Sequence, residues 1–431
     1  MTLNLVFTII PFMNEKKPLT IAVVGAGARG TYAYAPYALH FPDQLKVTAV
    51  AEPDAKRRKV FSDKFSVPEE NQFESWEALF ANHKADAVII ANDDAGHAGP
   101  IKEAMKQGWH ILAEKPVTNN LESLLELKDD IVAYDKVFMI CHVLRYSPFF
   151  QKLKEILDSK QIGELVSVQH NENVGHFHQA HSFVRGNWGN KEESSPMILA
   201  KCCHDMDILN YLIGKECLRV SSFGSLKHFR QDKAPEGATE RCLDGCPHLM
   251  TCPYSAMRYA EKDNKRYIPV YASNVLRHAG TDDLMEALKI TDYGKCVHFC
   301  NNNVVDHQVV NMEYEDEITV AFTMCGLTDL CDRTMRFMGT KGEIRAHMGK
   351  AVITVTDFRT GMDTEITFDD CDVHGGGDHG IRADFVKFMN NADIDMIRKS
   401  NKQGIDAHLM AFAAEKSRLE KAVVDLDFYN K

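Results

Sequence analysis

The chain has 431 residues, 45% of them hydrophobic, and 50 Lys and Arg against 61 Asp and Glu give a formal net charge of −11. That length predicts two domains with sizeable cores, and an acidic balance with no basic stripe argues against a nucleic-acid partner. No apolar stretch approaches the length that spans a bilayer, so no membrane partner is expected, and twelve cysteines without a secretion signal read as reduced thiols of a cytoplasmic protein.

Met1 to Phe12 is mostly apolar but lacks a basic start and a small-residue cleavage site, so residues 1–16 read as an extension ahead of a domain that begins at Lys17. Met13 is an alternative start. Thr20 to Val24 is a continuous apolar run, the mark of a strand buried on both faces. It leads into Gly25, Gly27 and Gly30, spaced G-x-G-x-x-G. In such a turn the first glycine permits the bend, the second lets a pyrophosphate approach the backbone, and the third lets the next helix sit close. Gly25, Gly27, Ala28, Arg29 and Gly30 are therefore candidate cofactor residues, with helix N–H groups facing the phosphates.

A second strand, Val47 to Glu52, ends in an acid 22 residues beyond Gly30, near the spacing of a ribose-binding carboxylate. Glu52 would repel a 2′-phosphate, which predicts NAD; Arg29, Lys56, Arg57 and Arg58 nearby keep NADP open. Asp54 to Phe65 reads as a helix, as do Glu77 to Phe80, Gly99 to Gly108 and Leu121 to Tyr134. Asp86 to Ala91, His110 to Ala113 and Val137 to Cys141 read as strands. This alternation predicts a parallel sheet and a dinucleotide-binding domain at 17–142.

Beyond it, Leu165 to Glu172, Ile318 to Met324 and Val352 to Thr356 alternate with period two, and Met335 to Ile344 reads as a hairpin turning at Thr340 to Gly342. Residues 143–431 are thus expected to form an α/β domain on a mostly antiparallel sheet. Two helices are predicted there, Ser195 to Ile213 capped by Gly214, and about Gly404 to Lys421.

Ligands of open α/β sheets bind beyond the carboxyl ends of the strands, where Asn92, Asp93, His97, Glu114, Lys115 and His142 fall. A lysine in Glu114-Lys115-Pro116 can bond a substrate hydroxyl and, if desolvated or set near another cation, accept its proton. The plain alternative is a surface Glu–Lys pair. His204, in Ala200 to Asp207, titrates near neutrality and can exchange a proton with an alcohol; a core histidine is its alternative. As a continuous helix this stretch would put Ala200, Lys201 and His204 on one face.

His176, His178 and His181, with Trp188, form a polar and aromatic segment, and no metal ligand set is assigned to it. Cys242, Cys246 and Cys252 at C-x3-C-x5-C, with Cys296 and Cys300, could bind a structural metal or pack as thiols. Asp306-His307 and the glycine-rich run His374 to Gly380 could also reach the pocket.

The order of G-A-G-A-R-G, the acid after the second strand, D-A-V-I-I-A-N-D-D-A-G-H, H-I-L-A-E-K-P, H-V-L-R-Y-S-P, Q-I-G-E-L and C-C-H-D-M-D-I-L resembles the Gfo/Idh/MocA family from Leu19 to about Asp425. The resemblance implies a Rossmann domain plus an α/β domain with an open, mostly antiparallel sheet. One face of that sheet would carry a sugar, glycoside or cyclitol substrate, and the other would form a homodimer or homotetramer. It implies an NAD(P)-dependent oxidoreductase acting on CH–OH groups, with Lys115 as catalytic lysine, His204 as the histidine of the D-x-x-x-H motif, and Glu114 and His97 on the cofactor side. Asn92 and Asp93 follow the same strand end as His97. The motif's aspartate is replaced by Ala200, and Lys201 is the nearest ionisable residue, expected as a second cation near the substrate. The His176 to His181 segment would lie toward the pocket, and about 227–289 would be an insert that covers the active site. Two other readings stay open: a glycosidase that oxidises its substrate transiently, and a sugar- or NAD-sensing protein without catalysis.

Overall fold

The structure is a computed structural model that describes residues 17–261, 268–369 and 375–430; the N-terminal extension and His374 lie outside them. Two sheets organise the chain. The first is built from β1 (Leu19–Val24), β2 (Leu45–Ala51), α1 (Ala55–Phe65), β3 (Gln72–Phe73), α2 (Trp76–Asn82), β4 (Ala87–Ile90), α3 (Ala98–Gln107), β5 (His110–Ala113), α4 (Leu121–Ala133) and β6 (Phe138–Ile140). Its strands are all parallel in the order β3-β2-β1-β4-β5-β6. Local signals set the helix starts: Asp54 accepts the Arg57 amide at 2.8 Å, and Asn120 accepts the Ser123 amide at 2.8 Å.

The buried strands alternate between two cores. Ala22, Val24, Val88 and Ile90 face Leu79, Ile101 and Leu124 of α2, α3 and α4. Ile21, Val23, Val47 and Ile89 face the other way, onto Phe61 of α1.

The second part begins with α5 (Pro148–Asp158), β7 (Leu165–Asn173), α6 (Met197–Ala200), α7 (Cys203–Ile213) and β8 (Cys217–Ser225). It continues with β9 (His307–Tyr314), β10 (Thr319–Cys325), β11 (Asp332–Gly339), β12 (Gly342–His347), β13 (Val352–Asp357) and β14 (Asp363–Thr367), then α8 (Gly377–Asn390), α9 (Ile394–Glu420) and β15 (Val424–Asp425). The nine strands run β14-β13-β12-β11-β7-β10-β9-β8-β15, antiparallel except for β7 beside β10. The predicted hairpin is β11–β12, with Phe337 opposite Ile344.

Three expectations need correction. The predicted helix from Ser195 to Ile213 is two helices, broken at Lys201 and Cys202. The last long helix starts ten residues before Gly404, where Asp393 caps it through the Met396 amide at 3.0 Å. Gly404 lies inside α9, where a Cβ would come 2.9 Å from Ile140 and 3.2 Å from His142, so close packing of α9 on β6 requires glycine there. Finally, residues 143–431 do not stay with the second sheet. Ile381, Phe385 and Ile397 of α8 and α9 return to the first sheet's core, which needs apolar cover on the face that α1 leaves incomplete.

The insert spans 226–306, between β8 and β9, wider than the expected 227–289. It has its own core of Cys242, Tyr259, Val275, Leu288 and Tyr293, which also takes in Phe177.

Candidate active site

The glycine turn follows β1. Gly25 has φ +92°, and a Cβ there would stand 2.5 Å from the Ala91 backbone; at Gly30 it would stand 2.1 Å from the Gly25 carbonyl. Only glycine fits either position. Around Gly27, by contrast, nothing lies within 4 Å of where a Cβ would be. The turn is tight against itself and the end of neighbouring β4 and open outward, which fits a pyrophosphate laid on its backbone.

Glu52 braces this turn. It is buried, its Oε2 accepts the Ala26 amide at 2.9 Å, and its Oε1 accepts the Asp54 amide at 3.1 Å. Asp93 is exposed after β4. His97 is buried, with Nδ1 2.6 Å from the Pro116 carbonyl and Nε2 2.9 Å from the Asn92 carbonyl, so it ties the two strand-end loops together. Ala28 is exposed at the head of the helical turn Arg29–Tyr34.

Arg29, expected at the cofactor, spends its donors on protein. Nε donates to Glu114 at 2.5 Å, and the two Nη groups donate to Asp378 at 3.2 and 2.7 Å. Tyr34 also donates to Glu114 at 2.5 Å. Burial alone would raise the Glu114 pKa, but Arg29 and Lys115 hold it below the usual carboxylate range. Its Oε2 accepts the Lys115 amide at 2.9 Å, so an ionised carboxylate fixes the backbone of the lysine.

The Lys115–Pro116 bond is cis. Lys115 Nζ donates to the Ala200 carbonyl at 2.7 Å. This contact explains the broken helix. In a continuous helix the Ala200 carbonyl would accept the His204 amide. The break releases it, and the position that lacks an aspartate side chain meets the lysine with its main chain instead. The residue after Pro116 is also held: Val117 donates its amide to His408 Nε2 at 3.0 Å, while His408 Nδ1 donates to Gly404 at 2.6 Å. Burial, with His142 beside it, pushes the His408 pKa down to about 3, so the ring stays neutral. No local pattern marked His408, which lies 291 residues from Val117.

His204 is buried at the start of α7, its ring 6.0 Å from that of His142. Lys201 turns away from this pair. Its Nζ lies 3.3 Å from Glu172, whose other oxygen lies 2.6 Å from Arg333. Arg333 Nε donates to Asp205 at 2.8 Å, and His170 Nε2 lies 2.8 Å from the same oxygen. Burial penalises the Lys201 charge, yet Cys331 and Glu172 raise its pKa above the ordinary lysine value. Lys201 is thus a fixed cation of a closed ionic network, a poor proton acceptor.

Asp94, which the sequence reading passed over, connects the two halves: it accepts Ser195 Oγ at 3.0 Å and Trp188 Nε1 at 3.5 Å. Its only sequence signal was the second acid of the Asp93-Asp94 pair. His181 belongs to the insert core, stacked on Tyr293 at 4.7 Å and 2.7 Å from the Tyr259 hydroxyl; burial pushes its pKa down to about 3. Buried Asp306 accepts the Lys227 and His228 amides at 2.9 and 2.6 Å, anchoring the insert's start. Among the described residues no group of three or more His, Cys, Asp or Glu is placed to hold a metal ion. Cys242 lies 3.8 Å from the Arg185 guanidinium.

A glycine turn after the first strand of a doubly wound parallel sheet, with a lysine at the end of β5 on the same carboxyl edge, is the arrangement of a dinucleotide-binding domain. Residues 19–142 match the family model described as "Oxidoreductase family, NAD-binding Rossmann fold", and 154–372 match "Oxidoreductase family, C-terminal alpha/beta domain". The chain therefore belongs to the Gfo/Idh/MocA oxidoreductase family, and it is an NAD-binding enzyme acting on CH–OH groups.

YteT of Bacillus subtilis (strain 168), which carries an oxidoreductase description, is 25% identical over 314 residues, 71% of each chain. An inositol 2-dehydrogenase of Corynebacterium glutamicum (strain R) is 27% identical over 205 residues, 47% of this chain and 57% of that protein. A scyllo-inositol dehydrogenase from Lactobacillus casei, solved with NAD(H) and scyllo-inositol, superposes with a TM-score of 0.65 over 95% of this chain and 100% of that one. At 16% identity this last likeness shows the fold alone.

Proposed function

We propose that this enzyme oxidises a secondary hydroxyl of a sugar, glycoside or cyclitol, or reduces the matching ketone, with Lys115 handling the hydroxyl proton. The observation that carries the reading is the placing of Lys115 Nζ, fixed by the Ala200 carbonyl on one side and by Glu114 and His408 through the backbone on the other. When bound, NAD supplies the two-electron chemistry, exchanging a hydride with the carbinol carbon.

Gly25, Gly27 and Gly30 hold the pyrophosphate, with the Ala28 and Arg29 amides at the helix mouth. Glu52 favours NAD over NADP. Asn92, Asp93, His97 and Glu114 shape the strand ends on which the nicotinamide rests. Lys115 orients the substrate hydroxyl and, as the neutral amine, takes its proton during oxidation to become the ammonium, and His204 assists from the opposite wall. The two halves meet where Asp94 accepts the Ser195 hydroxyl.

The inositol 2-dehydrogenase relative supports cyclitols as the first class to try. A screen of inositols, sugars and glycosides for NADH absorbance tests the reading. Formation of NADH with at least one carbinol supports it. Release of free sugar without net NADH, or tight NAD binding with no turnover across the panel, would replace it with a transient-oxidation or sensing role.

The outward face of the second sheet presents Phe223, 63% exposed, opposite Val309. We assign a cytoplasmic homodimer or homotetramer to this face. Light scattering on Phe223→Arg checks it, with a smaller assembly than the wild type expected.

A further inference from the structure

The insert reaches beyond the substrate side. Its helix Ile268–Ala279 touches both halves of the chain. The first half of the helix packs on the histidine segment that follows β7. The Tyr271 ring lies 4.5 Å from that of His181 and 5.7 Å from that of His178, and Asn274 Nδ2 lies 3.5 Å from His181 Nε2. Val275 is fully buried in the insert's own core. These contacts are mostly aromatic and closed to water, so this end of the helix is firmly held.

The last turn lies about 13 Å further on, at 1.5 Å per residue, and reaches the nucleotide half. There the Arg277 guanidinium stands over the Tyr32 ring at 5.1 Å, and Lys64 Nζ stands over the same ring at 4.5 Å. Tyr32 comes two residues after Gly30 and stays 46% exposed. Gly280 ends the helix with φ +68°, and a Cβ built there would lie 3.3 Å from Lys56 Nζ. The carboxyl end of a helix attracts a cation, so the Lys56 ammonium suits that place. Lys56 stands in the first turn of α1, two residues beyond Asp54, whose amide Glu52 accepts. One contact point thus adjoins the glycine turn and the other adjoins the buried carboxylate at the end of β2.

Both contacts are weak by nature. Arg277 is exposed, and its own hydrogen bonds go to Ser273 Oγ at 2.7 Å and Asn274 Oδ1 at 2.8 Å, neutral groups on the same helix. A cation over an exposed ring and a cation at a helix end each contribute little in water. The other end of the helix is locked into an apolar core. Any movement of the insert therefore parts it from the nucleotide half before it parts from the second half.

We propose that this helix is a clasp on the adenosine side of the cofactor site. Closed through Arg277 on Tyr32 and Gly280 on Lys56, it retains NAD, and it opens at those two contacts when the dinucleotide exchanges. The clasp presupposes the reading in which the Gly25–Gly30 turn holds the pyrophosphate and Glu52 the ribose. No covalent bond changes when it opens.

The test measures cofactor exchange directly. Arg277→Ala and Lys56→Ala alter exposed side chains, so folding is not at stake. Stopped-flow fluorescence of bound NADH should show dissociation about threefold faster in Arg277→Ala and about tenfold faster in the double variant. The association rate should hold or rise, because an open clasp eases entry as well as exit. Dissociation unchanged in the double variant overturns the clasp. A slower association with unchanged dissociation also overturns it, since the two cations would then merely attract an anionic ligand.

A second measurement needs no turnover. Amide hydrogen exchange across residues 270–280 should slow when NAD binds the wild type, and the double variant should lose that protection. Protection that is absent from the wild type, or equal in the two proteins, overturns the clasp. The underlying reading fails separately. Nothing lies within 4 Å of a Cβ at Gly27, so Gly27→Asp sets a carboxylate where the pyrophosphate would rest. NADH bound as tightly by that variant as by the wild type would remove the site itself.

Discussion

The two sheets handle buried charge in opposite ways. The first brings Glu114, Lys115 and His97 to its carboxyl edge, where protein partners hold Glu114 and His97 and so position the backbone of Lys115, whose Nζ reaches the Ala200 carbonyl. The second buries Glu172, Asp205, Arg333 and Lys201 against its inner face and closes them on one another, two positive groups against two negative. The difference separates chemistry from architecture. A charge with a free valence at a cleft can act on a substrate, whereas one whose every partner is protein holds shape.

Substitutions should split along that line. Lys115→Met is expected to lower kcat/KM by about 10²–10⁴ while the thermal midpoint stays close to wild type. Paired kinetics and melting curves check it, and a variant with full turnover would move Lys115 out of the reaction. Arg333→Met should do the reverse, destabilising the fold by about 3–5 kcal/mol because Glu172 and Asp205 lose their shared cation in the interior. Urea denaturation reads this directly, and a loss below about 1 kcal/mol would mean the network is better satisfied by its remaining members than its geometry indicates.

The smallest effect concerns pH. His408 has a folded pKa of about 3 against 6.5 unfolded, so the unfolded chain binds the extra proton between those values. Its contribution is present above pH 6.5 and drains away as pH falls toward 3. His408→Gln should flatten the acid limb of the stability curve over that window by about one proton. The same variant loosens the Val117 tether, so KM or kcat should change with it.

Much of the first sheet was legible because its determinants are local. The glycines of the turn, Glu52 at a strand end and Glu114-Lys115-Pro116 each carry their reason within a few residues. The hairpin at Thr340 to Gly342 was legible on the same ground. The break at Lys201 was not, since from Met197 to Ile213 there is no proline or glycine to end a helix; the release of the Ala200 carbonyl depends on a lysine 85 positions away. The partners of Arg29 were hidden for the same reason. A sequence window holds the guanidinium but not the Asp378 carboxylate that claims it.

That last pairing has a practical corollary. Arg29 in the phosphate-facing turn is clasped by Asp378 across 349 positions, and Ile381 and Phe385 just beyond it plug the same sheet. The nucleotide half is thus stitched shut by a late stretch of polypeptide. A fragment cut after residue 142 would emerge with an uncovered apolar face and an unanchored arginine, so dissecting this enzyme calls for carrying the returning helix along, fused through a short bridge.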